Sequence, residues 1–260
     1  MIRALWTAAT GMEAQQINQD VIANNLANIN TVGFKKSRAD FQDLMYQIYT
    51  KTGSETSEGN KLPVGLEVGM GVKPVATQKM FSQGDYQQTD NDFDWAIEGN
   101  GFFQIDLGDR TAYTRAGSFR IDKEGYVCDS QGQKLTPNIT VPQETVNFTI
   151  DKGGTWTAAD STGTSLGTGR IELAKFVNPA GLTSLGRGLY EATEGSGDAI
   201  TGNPGESGLG SIAQRFIEMS NVNVVDEMVK MIVGQRAYEI NSKAIQTTDQ
   251  MLQMVNNLKR

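Results

Sequence analysis

Two long amphipathic helices are written into opposite ends of this chain, and the stretch between them is Gly-rich and strand-like. Residues 2–30 and 224–258 each read as one helix. In the second, Val233, Ala237, Ile240, Ala244, Thr247, Met251, Met254 and Leu258 alternate spacings of four and three without a break. That is the heptad rhythm that lets one helix lie along another. In the first, Leu5, Ala9, Met12, Ala23 and Leu26 keep the same rhythm, with Gln16 and Gln19 interrupting it. Between Ala4 and Phe34 the only charges are Glu13 and Asp20, so the non-apolar face is Gln, Asn and Thr. A solvated helix face normally carries a Lys/Glu mixture. This one suits burial among other helices on several sides. Gly11 inside it costs about 1 kcal/mol relative to Ala, so something must compensate. A globular enzyme rarely places its longest helices at both termini around a β-rich middle; a subunit that polymerises through its ends often does.

Composition removes most chemistry. The 260 residues include no histidine, which excludes the commonest general base, His-dependent triads and most zinc sites. One cysteine, Cys128, cannot make an intrachain disulfide, and its strand-like surroundings make it a packing residue. The net charge of −7 comes without a basic cluster, so nucleic acid is not an expected partner. No window approaches the roughly 18 apolar residues of a membrane span. The N-terminal pattern is amphipathic rather than a continuous apolar block, so no cleaved signal peptide is expected.

The first helix is expected to stop where Asn28, Asn30 and Gly33 tolerate left-handed backbone. Residues 34–50 mix charges with Phe41, Leu44, Met45, Tyr46, Ile48 and Tyr49, an extended or partly helical segment laid on a neighbour. Residues 51–61 are polar and Gly/Ser-rich, hence loop. From Val68 to about Tyr190, short β-prone runs alternate with turn signals, including Asp122-Lys123-Glu124-Gly125 and Asp151-Lys152-Gly153-Gly154. These describe an antiparallel β domain. Asn223 is a fair N-cap for the second helix, with Asp226 and Glu227 in its first turn. Asp226 with Lys230 and Glu239 with Lys243 have the spacing of helical ion pairs.

No constellation carries catalysis. Asp90-Asn91-Asp92-Phe93-Asp94 alternates acids like a calcium loop but lacks the Gly and Glu that an EF-hand needs later in the loop. Gly99-Asn100-Gly101 has no third glycine and precedes a strand, so it reads as a turn. Trp95, Tyr113 and Tyr126 could line a carbohydrate groove, but core packing explains them as well. The fold class expected is α+β: long terminal helices paired as a coiled coil, with a central antiparallel β-rich domain.

Several motifs resemble one family. Asn24-Asn25-Leu26-Ala27-Asn28-Ile29-Asn30-Thr31-Val32-Gly33-Phe34 resembles the N-terminal signature of the bacterial flagellar axial proteins of the rod and hook. Gln235-Arg236-Ala237-Tyr238-Glu239-Ile240-Asn241-Ser242-Lys243 is similar to their C-terminal motif. Gly69–Thr77, Ser82-Gln83-Gly84, Ala96–Phe103 and Tyr113–Phe119 resemble the rod members most closely. The resemblance implies a non-enzymatic subunit, exported unfolded through the type III apparatus, that assembles into a hollow helical tube. It sits in the periplasmic basal body, without membrane insertion or cofactor, and transmits torque. Implied partners are identical copies, proximal rod subunits, the hook protein and the surrounding ring proteins. Together with the heptad spacing, it implies a polymer interface at Leu5, Met12, Asn24, Asn25, Leu26, Asn28, Ile29, Val233, Ala237, Tyr238, Ile240, Ala244, Met251, Met254 and Leu258. Connector packing falls to Phe41, Leu44, Tyr46 and Tyr49. The implied organisation is a terminal-helix domain at 1–33 and 221–260, connectors at 34–92 and 205–220, and an outer β-rich domain at 93–204. A proximal rod or hook subunit remains open, as does a secreted β-rich glycan-binding protein or hydrolase.

Overall fold

The computed structural model describes residues 2–53 and 63–257. Leu258 and most of the polar loop at 51–61 lie outside the described residues. The chain forms two compact units, one of residues 1–26, 37–78 and 223–260, the other of 27–36 and 79–222.

The first unit holds both helices, α1 (Ile2–Ala27) and α2 (Val224–Asn257). At 1.5 Å per residue they run for about 39 and 51 Å. Asn223 caps α2, its Oδ1 accepting from the Val225 and Asp226 amides at 3.0 and 3.3 Å. The strands of this unit are β1 (Ser37–Asp43), β2 (Tyr46–Thr50), β3 (Leu66–Gly69) and β4 (Val72–Lys79). β1 pairs with β4, and β2 pairs antiparallel with β3. The segment expected to be extended or partly helical is therefore two strands.

Contacts between the helices occur at three levels. A Cβ built on Gly11 would lie 2.9 Å from Asn241 Nδ2, and one on Gly234 would lie 3.6 Å from Gln15 and Gln19 atoms. Asn25 Nδ2 donates to Glu227 Oε2 at 3.2 Å. Numbers fall along α2 as they rise along α1, so the helices run antiparallel. Gly11 thus has its compensation: the absent side chain lets the other helix approach.

The expected ion pairs on α2 shift by one residue or more. Lys230 Nζ lies 2.6 Å from Glu227 rather than pairing with Asp226, and Glu239 takes Arg236 at 3.0 Å rather than Lys243. Glu227 is buried on the inward side, so a cation there lowers a larger desolvation cost than it would beside exposed Asp226.

The strands of the second unit pair antiparallel. Its strands are β5 (Tyr86–Gln88), β6 (Trp95–Glu98), β7 (Phe102–Asp106), β8 (Thr111–Thr114), β9 (Arg120–Ile121), β10 (Val127–Cys128), β11 (Lys134–Thr136) and β12 (Asn147–Ile150). They continue with β13 (Thr155–Ala159), β14 (Ser165–Arg170), β15 (Leu173–Lys175), β16 (Thr183–Gly186), β17 (Leu189–Glu191), β18 (Ile200–Gly202), β19 (Ser211–Gln214) and β20 (Phe216–Glu218). The largest sheet runs β16-β17-β8-β7-β11-β10-β9, and β15 pairs with both β7 and β18. One edge of β7 is shared: β15 takes Phe102 and Phe103, β11 takes Gln104 to Asp106. β12-β13-β14 form a smaller sheet, while β6 pairs with β19 and β5 with β20.

Adjacent residues of a strand point to opposite faces, and β7 uses both. Phe103 joins a core with Trp95, Phe119, Phe148 and Trp156, whereas Phe102 joins Tyr113, Phe176 and Tyr190. Phe148 stacks between Trp95 and Trp156 at centroid distances of 6.0 and 5.8 Å. Trp95 and Tyr113 are thus packing residues, and Cys128 is buried with them. Both turns expected from Asp-x-x-Gly are present. Asp122 and Asp151 accept from Gly125 and Gly154 at 2.8 Å, each glycine at positive φ. Asp129–Gly132 and Asp160–Gly163 repeat the same turn.

Candidate assembly surface

The inward side of α2 carries small and polar residues between half-buried Met231, Ile245 and Leu252. Its buried residues are Glu227, Gly234 and Thr248, and half-buried Asn241 completes the seven-residue spacing. α1 meets it with buried Ala8, Ala14, Ile22 and Asn25. Asn25, from the Asn-Asn-Leu-Ala-Asn motif, is fully committed within the chain. Its Oδ1 accepts from the Ser37 amide and its Nδ2 donates to the Ser37 carbonyl, both at 2.8 Å, besides reaching Glu227. One side chain thereby ties the end of α1, the start of β1 and the first turn of α2 together.

The side of α2 turned away from α1 is uncovered and carries apolar residues among charged ones such as Arg236, Glu239 and Lys243. Val225, Met228, Val229, Ile232, Val233, Ile240, Met251 and Met254 are all exposed, from 46% at Met251 to 68% at Val225. Ala244 and Tyr238 are exposed as well, and Ala237 is half-buried. The heptad rhythm of Val233, Ile240, Thr247 and Met254 runs one residue ahead of Gly234, Asn241 and Thr248, about 100° around the helix. On α1, Trp6 and Asn24 are exposed, and Leu5, Met12 and Leu26 are half-buried. A soluble monomer normally turns its apolar stripe inward, and contiguous exposed apolar surface marks an interaction site.

The connector side chains are open too. Phe41, Tyr46 and Tyr49 are exposed and Leu44 is half-buried. Tyr49 lies under the Arg3 guanidinium at 5.3 Å. A hydrogen bond to Asp43, with that carboxylate's charge, raises the Tyr46 phenol above its ordinary value. Near the N-terminal end of α1, an open groove of about 980 Å³ is lined by residues including Ala4, Ala8, Tyr49, Val68, Ala244 and Leu252.

In the second unit, the segment that follows α1 is held by buried charge. Asn28 and Ile29 are half-buried at its start, where the Asn28 carbonyl accepts from the Thr31 amide at 3.2 Å. This turn is why α1 ends at Ala27 and not at residue 30. Gly33 has φ +68°, and a Cβ there would sit 2.5 Å from the Ala116 nitrogen. Lys35, close by, is fully buried and donates to Glu218 Oε1 at 2.5 Å and to the Ser82 carbonyl at 2.8 Å. Glu218 Oε1 also accepts from the Gly84 amide at 2.9 Å. Arg115 stands 3.5 Å from the other Glu218 oxygen and donates to the Ile97 and Gly99 carbonyls. Burial lowers the Lys35 and Arg115 pKa values, and Glu218 opposes that in both. Burial also pushes the Tyr190 phenol up to about 12.

No pattern in the amino-acid order marks this cluster. Lys35 and Arg115 lie in or beside the family-like motifs but read as surface charges, and Glu218 carries no signal at all. Asp92, from the acid-rich run, pairs with Arg215 at 2.6 Å, and Asn91 Oδ1 accepts from the Phe93 amide as in an ordinary turn.

Three stretches match described families. Residues 5–35 match "Flagella basal body rod protein", 96–158 match "Flagellar hook protein FlgE/F/G D1 domain", and 213–258 match "Flagellar basal body rod FlgEFG protein C-terminal". Over its whole length the chain is 52% identical to the flagellar basal-body rod protein FlgG of Borreliella burgdorferi, covering all of both chains. It is 48% identical to FlgG of Buchnera aphidicola and 45% identical to FlgG of Caulobacter vibrioides, each across 99% of this chain and all of the relative.

Proposed function

This chain belongs to the flagellar basal-body rod protein family, and we propose how it builds the rod of which it is a structural subunit. The main support is the set of apolar residues that α2 leaves in water, Val225, Met228, Val229, Ile232, Val233, Ile240, Met251 and Met254. Burying them against helices of other copies removes them from water at about 25 cal/mol per Å². Identical head-to-tail contacts whose rotation does not close extend as an open helix, which is what a tube requires.

In this reading α1 and α2 form an inner coiled-coil layer from 1–33 and 221–260. Residues 34–92 and 205–220 connect it to an outer β-rich domain at 93–204. The interface residues are the outward ones, among them Val233, Ile240, Met251 and Met254, with Leu5, Met12 and Tyr238 at its margins. Exposed Phe41, Tyr46 and Tyr49 pack between neighbouring copies as connector contacts. The tube is the distal rod, with proximal rod subunits at one end, the hook protein at the other and ring proteins around it. It crosses the periplasm after type III export, catalyses nothing and transmits torque.

The paired substitution Val229→Asp with Ile240→Asp tests this. Electron microscopy of the purified variant should find no polymer under conditions where the parent chain forms one, while the monomer melts within about 0.5 kcal/mol of the parent, as surface changes do. Normal tubes from the variant would contradict the assignment of this face.

A further inference from the structure

The open groove near the N-terminal end of α1 has a length and a charge that its own chain leaves unused. Ala4, Ala8, Tyr49, Val68, Ala244 and Leu252 line it, around a volume of about 980 Å³. A further depression of about 430 Å³, at Leu252, Gln253 and Val255, shares Leu252 with it. Along α2 the larger groove runs from Asn241 to Leu252, about 16 Å at 1.5 Å per residue. Arg3 is the one charged residue among the described residues of its wall. The Arg3 guanidinium lies over the Tyr49 ring and makes no ion pair among the described residues.

The other end of α2 carries a stripe short enough to enter such a groove. Val225, Met228, Val229 and Ile232 fall at i, i+3, i+4 and i+7, and each is more than half exposed. That spacing gathers them on one helix face, the pattern with which an amphipathic helix anchors in an apolar groove. The stripe is about 11 Å long. Asp226 flanks it, is exposed and makes no ion pair among the described residues. Because α2 is one unbroken helix over Val224–Asn257, a chain holds its stripe about 27 Å from the middle of its own groove. It cannot fill that groove itself.

We propose that the groove receives the Val225, Met228, Val229 and Ile232 stripe of a second copy of this chain, with that copy's Asp226 against Arg3. The inference rests on the reading of the chain as a rod subunit, and it names a contact by which successive copies join. Groove and stripe are different surfaces, so the contact is heterologous, and each copy that fills a groove offers its own to the next. Apolar side chains leave water on both sides of it. The opposite charges of Arg3 and Asp226 fix its direction and register.

Two arms test this on the full chain, under conditions where the parent polymerises. In the first, Ala244→Cys and Val229→Cys copies are mixed and treated with a short bismaleimide. The parent chain, whose Cys128 is buried, serves as the blank. Mixed tubes should yield cross-linked pairs that neither variant yields alone. Pairs from either variant alone would mean that like surfaces meet, and would overturn the proposal. Tubes without mixed pairs would overturn it too, yet leave the uncovered side of α2 as the assembly surface. That broader reading fails separately, if Val229→Asp with Ile240→Asp still forms tubes. In the second arm, Arg3→Asp and Asp226→Arg should each raise the critical concentration for polymer at least about tenfold. The two reversals together should return it to within about threefold of the parent. A double reversal as poor as either single one would overturn the proposal.

Discussion

The two units put the same residue types to opposite uses. In the β-rich unit Trp95 and Phe103 are wholly buried, and even Lys35 and Glu218 are drawn inside with their partners. In the helical unit Val225, Ile240 and Met254 face outward while Glu227, Asn25 and Thr248 are buried. A unit that hides its aromatics has finished folding as a single chain. One that buries Ile22 yet leaves Val225, Ile240 and Met254 in water is half of an interface. The difference separates what the chain does alone from what it does in numbers.

If that contrast holds, the β-rich unit should respond most strongly to a core substitution. Trp95→Ala removes an indole from the centre of an aromatic cluster and should destabilise that unit by about 3–5 kcal/mol, measured by denaturant unfolding of the monomer. A loss under about 1 kcal/mol, the scale of an ordinary surface change, would mean that this core is not a finished one.

Next in size is a pH effect confined to the same unit. Tyr190 has its folded pKa raised from 10.0 to about 12, by burial first, with Glu218 adding and Arg115 opposing. The folded state therefore keeps a proton that the unfolded chain gives up. The stability it contributes is whole below pH 10 and is lost as pH rises from there through about 12. The share due to Tyr190 should reach about 2–3 kcal/mol, and Tyr190→Phe should shrink the alkaline loss by that amount. A variant with the parent's alkaline slope would assign that slope to other groups.

The weakest effect should come from the helical unit. Asn223→Ala removes the cap of α2 and should cost about 1 kcal/mol, seen as reduced helix circular dichroism in the monomer and recovered on polymerisation. An equal helical signal in both monomers would show that the inward contacts of Glu227 hold the first turn without the cap.

Much of this division is legible in the amino-acid order itself. Spacing locates both helices. The expected end of α1 falls three residues late, because the turn at Asn28 to Thr31 begins where the Asn run reads as continuing helix. Asp-x-x-Gly locates two of four like turns. The inward seam of α2 is less legible, since Gly234, Asn241 and Thr248 alternate there with Met231, Ile245 and Leu252, whereas the spacing of Val233, Ile240 and Met254 marks the uncovered face. The buried charges are illegible for a related reason. A Lys beside a Phe and a Glu between Ile and Met look like surface residues until partners far along the chain are known, and Lys35 and Glu218 are separated by most of it.

If the terminal helices are incomplete until copies meet, amide hydrogen exchange should show it directly in monomer and polymer. Exchange is expected to be fast across 2–27 and 224–257 in dilute monomer. The same amides should be strongly protected in the polymer, with little change in β7, β8 and β13. Helices already fully protected in the monomer would contradict this.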